Sequence, residues 1–236
     1  MISGAVMTTG QNTAELDSTG YIADRVYLVE PSIKVLFPQG NFSRRLDETA
    51  VLGLSVAMFM QLQPGQPAFV GLDVGYSEVD RYSLFYTGFF PNGDPAEYDA
   101  VATSSMVDLS LGGRYYPGVA YKSLELYVDA NFGMRWMYTS QRITSFFMGI
   151  EEASDFDIDQ GDVSLLYGAG LGAQLSLNHN FYINTKLSYM GSGSMEYTSL
   201  PEGGPVGGFG EPLDAFVDRQ SATTALRWDI GITYAF

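Results

Sequence analysis

Long segments in which apolar and polar residues alternate recur along this chain, and they constrain its fold more than any other feature. The clearest segment is the last one, residues 221–236, with the sequence SATTALRWDIGITYAF. Its apolar positions are large and partly aromatic, ending in Tyr234 and Phe236, whereas the intervening positions include Arg227 and Asp229. Successive side chains of a β-strand point to opposite faces, so this pattern predicts a strand with one apolar and one polar face.

Seven earlier segments alternate in the same way, which predicts about eight strands in all. The predicted strands are residues 26–42, 50–63, 68–85, 104–116, 122–143, 162–177, 181–199 and 221–236. The first is the least regular, because Pro31 and Pro38 cannot donate to a strand ladder. Short connections, near Pro64, Pro117 and His179, alternate with long ones at 41–49, 87–103, 144–161 and 200–220. This alternation predicts an up-and-down antiparallel arrangement with all long loops on one side.

The composition excludes several classes of function. The chain has no cysteine, which rules out disulfides and thiolate metal sites, and its single histidine leaves little room for histidine-based catalysis or zinc binding. A net charge of −15 argues against a nucleic-acid partner or an anionic membrane surface, and is compatible with binding of divalent cations. The longest apolar run, residues 51–60, is too short for a transmembrane helix.

The polar faces of the predicted strands distinguish a barrel from a soluble β-sandwich, which also alternates. They consist mostly of Gly, Ser, Ala, Asn and Tyr with sparse charges, and such residues fit the narrow interior of a barrel of about eight strands. The opposite faces carry Trp136, Trp228 and many Tyr and Phe, as aromatic belts at membrane interfaces do. The sequence therefore predicts an all-β fold, a transmembrane antiparallel up-and-down β-barrel, with a soluble sandwich as the alternative.

Charged residues on the predicted inner face are balanced, with five basic and five acidic side chains. They are Lys34, Asp73, Asp108, Arg114, Glu125, Asp129, Arg135, Lys186, Arg227 and Asp229. An unpaired charge in a confined, weakly polar interior costs several kcal/mol, so buried charges need partners. Balance of this kind predicts a filled, charge-paired lumen and argues against an ion-selective pore.

The end of the chain resembles the C-terminal β-signal of bacterial outer-membrane proteins, with alternating Trp228, Ile230, Ile232, Tyr234 and Phe236. The pattern over residues 26–236 resembles the small eight-stranded outer-membrane barrels of the OmpA, OmpX and OmpW type. The resemblance implies a Gram-negative outer membrane, periplasmic termini and recognition of the terminal residues by the barrel-assembly machinery. We interpret residues 1–25 as a signal-peptide remnant with a short periplasmic lead, or alternatively as an unstructured N-terminus.

A barrel with a filled lumen predicts a structural or interaction role rather than an enzyme. Its expected partners are outer-membrane lipid, including lipopolysaccharide, and another outer-membrane or surface protein. The alternatives are a narrow channel for small or hydrophobic solutes, as in the OmpW type, and an outer-membrane lipid-modifying enzyme that uses His179. The enzyme is disfavoured because His179 falls in a predicted periplasmic turn, whereas such barrels place their histidine near the outer leaflet.

No cofactor is expected, although one acidic stretch superficially matches the start of a calcium loop. Asp155, Asp157 and Asp159 alternate, and alternating carboxylates can converge on a hard cation. Gln160 stands where such a loop has its glycine, so we interpret the stretch as a solvated acidic loop. A loosely held divalent cation is the alternative.

Overall fold

The computed structural model describes residues 25–44, 46, 49–89, 95–147, 150–199 and 217–236. Its strands are β1 (Tyr27–Pro38), β2 (Val51–Gln61), β3 (Ala68–Phe89), β4 (Pro95–Tyr115), β5 (Ala120–Tyr121), β6 (Leu124–Phe147), β7 (Ile150–Ser176), β8 (Phe181–Ser192), β9 (Ser194–Ser199), β10 (Val217–Ala222) and β11 (Ala225–Ala235). Within these ranges, no helix is long and apolar enough to cross a membrane. The predicted N-terminal segment lies outside the described residues, except for Arg25.

Eight of the described strands close into one antiparallel barrel. Their order is β1, β2, β3, β4, β6, β7, β8 and β11, and β11 returns to pair with β1. From Val163 on β7, the paired residues lead once around the barrel and return to β7 at Ala173, a shift of ten residues. An eight-stranded barrel with staggered, tilted strands has an interior just wide enough for side chains. The predicted fold class is confirmed.

One end of the barrel, which we call the turn end, carries the short connections and the closing seam. The turns include Gly65 and Gly118, whose positive φ angles of 77° and 74° suit glycine. The seam joins β1 to the chain end, where Phe236 N donates to Tyr27 O at 3.0 Å and Tyr27 N donates to Phe236 O at 2.9 Å. Both described chain ends therefore lie at the same end of the barrel, as an even number of strands requires.

At the opposite end, the loops predicted at 87–103 and 144–161 are wrong, because strands occupy most of these residues. β3 continues to Phe89 and β4 begins at Pro95, while β6 continues to Phe147 and β7 begins at Ile150. Residues 78–89, 95–104, 138–147 and 150–162 thus form a four-stranded extension of one half of the barrel, which we call the wall. The stretch predicted to be an acidic loop belongs to β7, where Asp residues alternate with Phe156 and Ile158. This alternation is a strand pattern, and the high density of aspartates obscured it.

The region predicted as a loop at 200–220 is also partly strand. β10 pairs with β9, from Val217 opposite Ser199 to Ala222 opposite Ser194. Together they continue the β8–β11 hairpin beyond Gly193 as a two-stranded ribbon. The single strand predicted at 181–199 is therefore divided at Gly193.

The outer surface of the barrel is apolar. On β2 the outward residues Leu52, Leu54, Val56, Met58 and Met60 are 46–66% exposed. An exterior band of this kind on a closed barrel is a lipid-facing surface, because in water it would be a large exposed apolar patch.

Aromatic residues mark both ends of this band. Those exposed at the turn end are Tyr27, Tyr115, Tyr121, Phe181, Tyr234 and Phe236. At the other end Trp136 packs against Tyr138 with ring centroids 4.8 Å apart. Beyond them the outward residues of β6 become polar, at Ser140 and Arg142. Aromatic belts are expected at the two membrane interfaces, so the wall begins where the lipid-facing band ends.

Candidate functional site

The ten charged residues predicted to face inward all have buried side chains, none more than 8% exposed. They project from the inner faces of six strands of the barrel. The ion pairs with measured distances involve nine of them; the tenth, Glu125, is buried nearer the turn end. The lumen is therefore the candidate site, and its ion pairs form three groups, two of which share Asp129.

The group nearest the turn end is built around Arg114 of β4. Its guanidinium donates to Asp129 through Nε at 2.8 Å and Nη2 at 3.1 Å, and to Glu30 through Nη1 and Nη2. Glu30 Oε1 also accepts hydrogen bonds from Gln174 Nε2 at 3.0 Å and from Thr233 Oγ1 at 2.8 Å. Two paired carboxylates and further neutral donors satisfy these buried charges, as burial requires.

Two aromatic rings contact the Arg114 guanidinium. Its Cζ lies 4.3 Å from the Phe59 ring centroid and 4.0 Å from that of Tyr127. Gly172 leaves the space that Tyr127 occupies, because a Cβ at Gly172 would lie 2.1 Å from Tyr127 Cζ. Cation–π contact in a desolvated site adds to the ion pairs, so this arginine is fixed in position as well as neutralised.

The central group gathers two cations and two carboxylates. Arg227 Nε donates to Asp229 Oδ1 at 2.8 Å, and Arg227 Nη1 lies 3.0 Å from Asp73 Oδ2. Lys186 Nζ is 3.9 Å from a carboxylate oxygen of each of these two acids and 3.4 Å from Asp129 Oδ2. Asp129 is therefore shared with Arg114, and the two groups are continuous.

The third group lies toward the wall and is centred on Asp108. Arg135 approaches it with Nε at 2.7 Å from Oδ1 and Nη2 at 3.1 Å from Oδ2, and Lys34 Nζ lies 3.3 Å from Oδ2. Arg135 Nη1 also donates to the backbone carbonyl of Thr223 at 2.7 Å. Gly75 provides room for Lys34, since a Cβ there would stand 2.7 Å from Lys34 Nζ.

Apolar layers close the lumen on both sides of the charged groups. At the turn end the buried layer consists of Leu28, Ala57, Phe59, Phe69, Tyr116, Tyr127, Tyr182 and Ala235. Toward the wall it consists of Leu36, Phe42, Leu46, Val51, Val79, Met106, Met137, Met195 and Ala225. Phe42 and Leu46 come from the β1–β2 connection, which therefore folds back into the barrel and contributes to this second layer.

Sequence reasoning missed two buried acids and the inserted connection. Glu30 has the same strand parity as Lys34, so alternation alone would have found it, but the neighbouring Pro31 made β1 look irregular. Asp80 follows a register shift between Glu78 and Asp80, which breaks the alternation from Asp73. The two apolar residues within the charged stretch 41–49 were the available signal for the inserted connection.

The ion pairs of the lumen join five basic side chains with five acidic ones. Lys34, Arg114, Arg135, Lys186 and Arg227 pair with Glu30, Asp73, Asp108, Asp129 and Asp229. Glu30, which the sequence analysis did not count, belongs to this paired set. Asp80 and Glu125 are buried as well, so the described residues include seven buried acids and five buried bases.

The residues predicted to form the terminal signal lie on the outer face of β11. Trp228, Ile230, Ile232, Tyr234 and Phe236 are 39–51% exposed. The Phe236 ring packs at 5.5 Å from Tyr27 and 5.4 Å from Tyr234. The terminal residue thus touches the first strand through its ring and through its backbone.

The remaining sequence candidates are not brought together. Asp155, Asp157 and Asp159 lie on β7, and their side chains are outside what is described. His179 is exposed in the β7–β8 turn, where its backbone carbonyl accepts a hydrogen bond from Arg25. Among the described residues, no group of three His, Cys, Asp or Glu side chains is arranged to hold a metal ion.

The described residues form a closed up-and-down barrel of eight strands that is apolar outside and polar inside. The fold is that of a small outer-membrane β-barrel. No protein-family model matches the sequence, and a search of curated proteins returned no match.

Several solved outer-membrane barrels are similar to this one. OprG from Pseudomonas aeruginosa has 12% identity and a TM-score of 0.45, covering 90% of this chain and 96% of its own. Neisserial surface protein A has 10% identity and a TM-score of 0.42, covering 89% and 97%. A major outer membrane protein from Thermus thermophilus has 18% identity and a TM-score of 0.41, covering 89% and 99%. These values are low, so the fold rests on the strand pairing of this barrel itself.

Proposed function

We propose that this chain is an integral protein of the bacterial outer membrane whose filled barrel serves a structural or interaction role. The observation that carries the proposal is the set of buried ion pairs in the lumen, with an apolar layer on each side. One chain of ion pairs runs from Glu30 through Asp129 to Asp73, and a separate group is centred on Asp108. Fixed, mutually neutralised side chains occupy the space that a conducting pore would need for water. The barrel then acts as an anchor that holds the wall and the outer connections at the membrane surface.

This role implies three kinds of partner. The apolar exterior contacts outer-membrane lipid, including lipopolysaccharide, and the terminal signal is recognised by the barrel-assembly machinery during insertion. The wall is the surface offered to another outer-membrane or surface protein. The proposal includes no catalytic step, no cofactor and no nucleic acid, and both chain ends at the turn end face the periplasm.

Conductance of the purified protein in planar bilayers tests the filled lumen. The barrel is first refolded into vesicles, and insertion is verified by heat-modifiable migration on a gel. We expect no stable conductance steps for inserted protein at 0.1–1 M salt, concentrations at which an aqueous pore conducts. Robust steps from inserted protein would overturn the filled lumen and favour the alternative, a narrow channel for small or hydrophobic solutes.

A second measurement addresses the less favoured enzyme. Inserted protein is incubated with phospholipid and lipopolysaccharide, and the lipids are analysed by mass spectrometry, with His179→Ala as the comparison. We expect identical lipid profiles with either protein and with empty vesicles. Lipid modification that is lost in His179→Ala would contradict the proposal, since that residue is exposed and outside the lumen network.

A further inference from the structure

A cleft of about 270 Å³ opens on the outer face of the wall. It is lined by Arg81, Val101, Thr103, Ser140 and Arg142, which come from three adjacent strands. Arg81 is paired in register with Thr103, and Thr103 with Ser140. The arginine on β3 and the arginine on β6 therefore stand on opposite sides of β4, which carries Thr103 between them.

The chemistry of the lining suits an oxyanion. Each guanidinium offers several N–H donors in a planar fork that matches phosphate oxygens, and the hydroxyl of Thr103 adds a donor between them. The Ser140 hydroxyl donates to the Thr103 carbonyl at 3.4 Å. None of the five lining residues is acidic. Both arginines are exposed, so they can reach a ligand from the surface.

The height of the cleft relates it to the membrane. Ser140 lies four residues beyond Trp136 on the same face of β6. Four residues extend roughly 13 Å along a strand, or about 10 Å in height for a strand tilted by about 40°. The cleft thus stands just above the aromatic residues that end the lipid-facing band, at the level of lipid headgroups.

The charge of the rest of the molecule makes this cleft distinctive. The protein carries a net charge of −15, so its surface as a whole repels anionic lipid. Of its twelve basic residues, five belong to the lumen network, and two of the remaining seven line this one cleft. Asp99 precedes Val101 by two residues on the same face of β4, and it limits the positive region on the side away from the membrane.

We infer that the cleft between Arg81 and Arg142 binds a phosphate group of an anionic lipid in the outer leaflet. The inference rests on the proposed membrane location and adds a specific lipid contact to it. The two guanidinium groups donate to the phosphate oxygens, the Thr103 hydroxyl contributes a further hydrogen bond, and the acyl chains extend down the apolar face of β3, β4 and β6. A phosphorylated glycolipid such as lipid A has the chemistry that fits.

Lipid retention measured by native mass spectrometry tests the inference. The protein is reconstituted into phosphatidylcholine nanodiscs that contain a small fraction of bisphosphorylated lipid A, and is then released from the discs in the gas phase. We expect one lipid A to remain bound, with retention reduced at least tenfold in Arg81→Gln/Arg142→Gln. Arg81→Lys/Arg142→Lys should give intermediate retention, because lysine keeps the charge but not the fork.

The matched control is Arg44→Gln, which removes one exposed basic residue from the β1–β2 connection and leaves the cleft intact. It should retain lipid A as the unmodified protein does. Equal retention by the double glutamine variant would overturn the inference. Complete displacement of lipid A by millimolar inorganic phosphate would also overturn it, since it would indicate a free-phosphate site.

Insertion is checked separately by heat-modifiable migration. A double variant that inserts but loses lipid A supports the inference. If the unmodified protein inserts and retains no lipid A, the inference fails while the proposed membrane barrel stands. If the unmodified protein does not insert, the proposed function itself fails.

Discussion

Arg114 and Glu30 are 84 positions apart in the sequence, and their side chains meet inside the barrel with Arg114 Nη2 at 2.8 Å from Glu30 Oε2. The two residues lie on β4 and β1, which are separated in the sheet by β3 and β2. The contact therefore crosses the lumen and does not follow the wall of the barrel. It joins strands that share no backbone hydrogen bonds.

Replacing Arg114 with leucine is expected to lower the free energy of unfolding by about 3–5 kcal/mol, the range for removing one partner of a buried ion pair. The change leaves Glu30 and Asp129 without their shared cation. Urea unfolding in lipid vesicles, followed by tryptophan fluorescence, measures the effect. Lys122→Gln, at an exposed position in the β5–β6 turn, is the control and should not alter stability. Equal stability of both variants would contradict the structural role of Arg114.

Asp108 and Lys34 should differ in importance although they form one pair. Asp108→Ala leaves Lys34 and Arg135 buried without a carboxylate and should destabilise the barrel by about 3–5 kcal/mol. Lys34→Met keeps the volume, and Asp108 retains both contacts with Arg135. Its loss should be nearer to about 1.5 kcal/mol, the order of one hydrogen bond to a charged group. The same unfolding assay compares them, and a larger loss for Lys34→Met would refute this ranking.

Gly172, which faces the lumen, provides a test of packing there, and Gly113, on the exposed outer face of β4, is its control. A Cβ at Gly172 would collide with the ring of Tyr127, whereas a Cβ at Gly113 would meet nothing within 4 Å. Gly172→Ala should therefore destabilise the barrel by about 1–3 kcal/mol, as overpacking does, because Tyr127 must move away from Arg114. Gly113→Ala should remain within about 0.5 kcal/mol of the unmodified protein. Similar unfolding midpoints for both variants would contradict this packing.

Deleting Phe236 should reduce the amount of protein in the outer membrane of a Gram-negative host more than deleting Gly207 does. The deletion removes the hydrogen bonds between Phe236 and Tyr27 at the seam, as well as the terminal aromatic ring. Phe236→Ala keeps the backbone bonds and removes only the ring. If the ring is what the assembly machinery recognises, Phe236→Ala should behave like the deletion. Levels of the Phe236 and Gly207 deletions are compared in isolated membranes, and equal levels would count against the terminal signal.

The parts of this fold that could be predicted from the sequence are those where one strand face meets lipid and the other meets the lumen. There the two environments differ so strongly that alternation locates both the strands and the inward charges, such as Arg114 and Asp108. On the wall this contrast weakens, and strands such as the first part of β7 were read as loops. Local irregularities hid other features, since Pro31 obscured Glu30 and the register shift before Asp80 reversed the parity.

Which inner charges pair with each other could not be predicted. The contact between Arg114 and Glu30 depends on the stagger of the closed barrel, which shifts by ten residues over one circuit. Alternation gives the face on which a side chain lies and carries no information about this stagger. The insertion of Phe42 and Leu46 depends in the same way on the size of the closed lumen.

Viewed along the membrane normal, a regular cylindrical barrel presents the same surface in every lateral direction. The wall removes this symmetry, because β3, β4, β6 and β7 extend farther than β1 and β2 on the other side of the barrel. The protein consequently presents different surfaces in different lateral directions of the membrane plane, even as a single copy. Two molecules that diffuse past one another would present different surfaces according to their rotation, so the barrel distinguishes one lateral direction from the others.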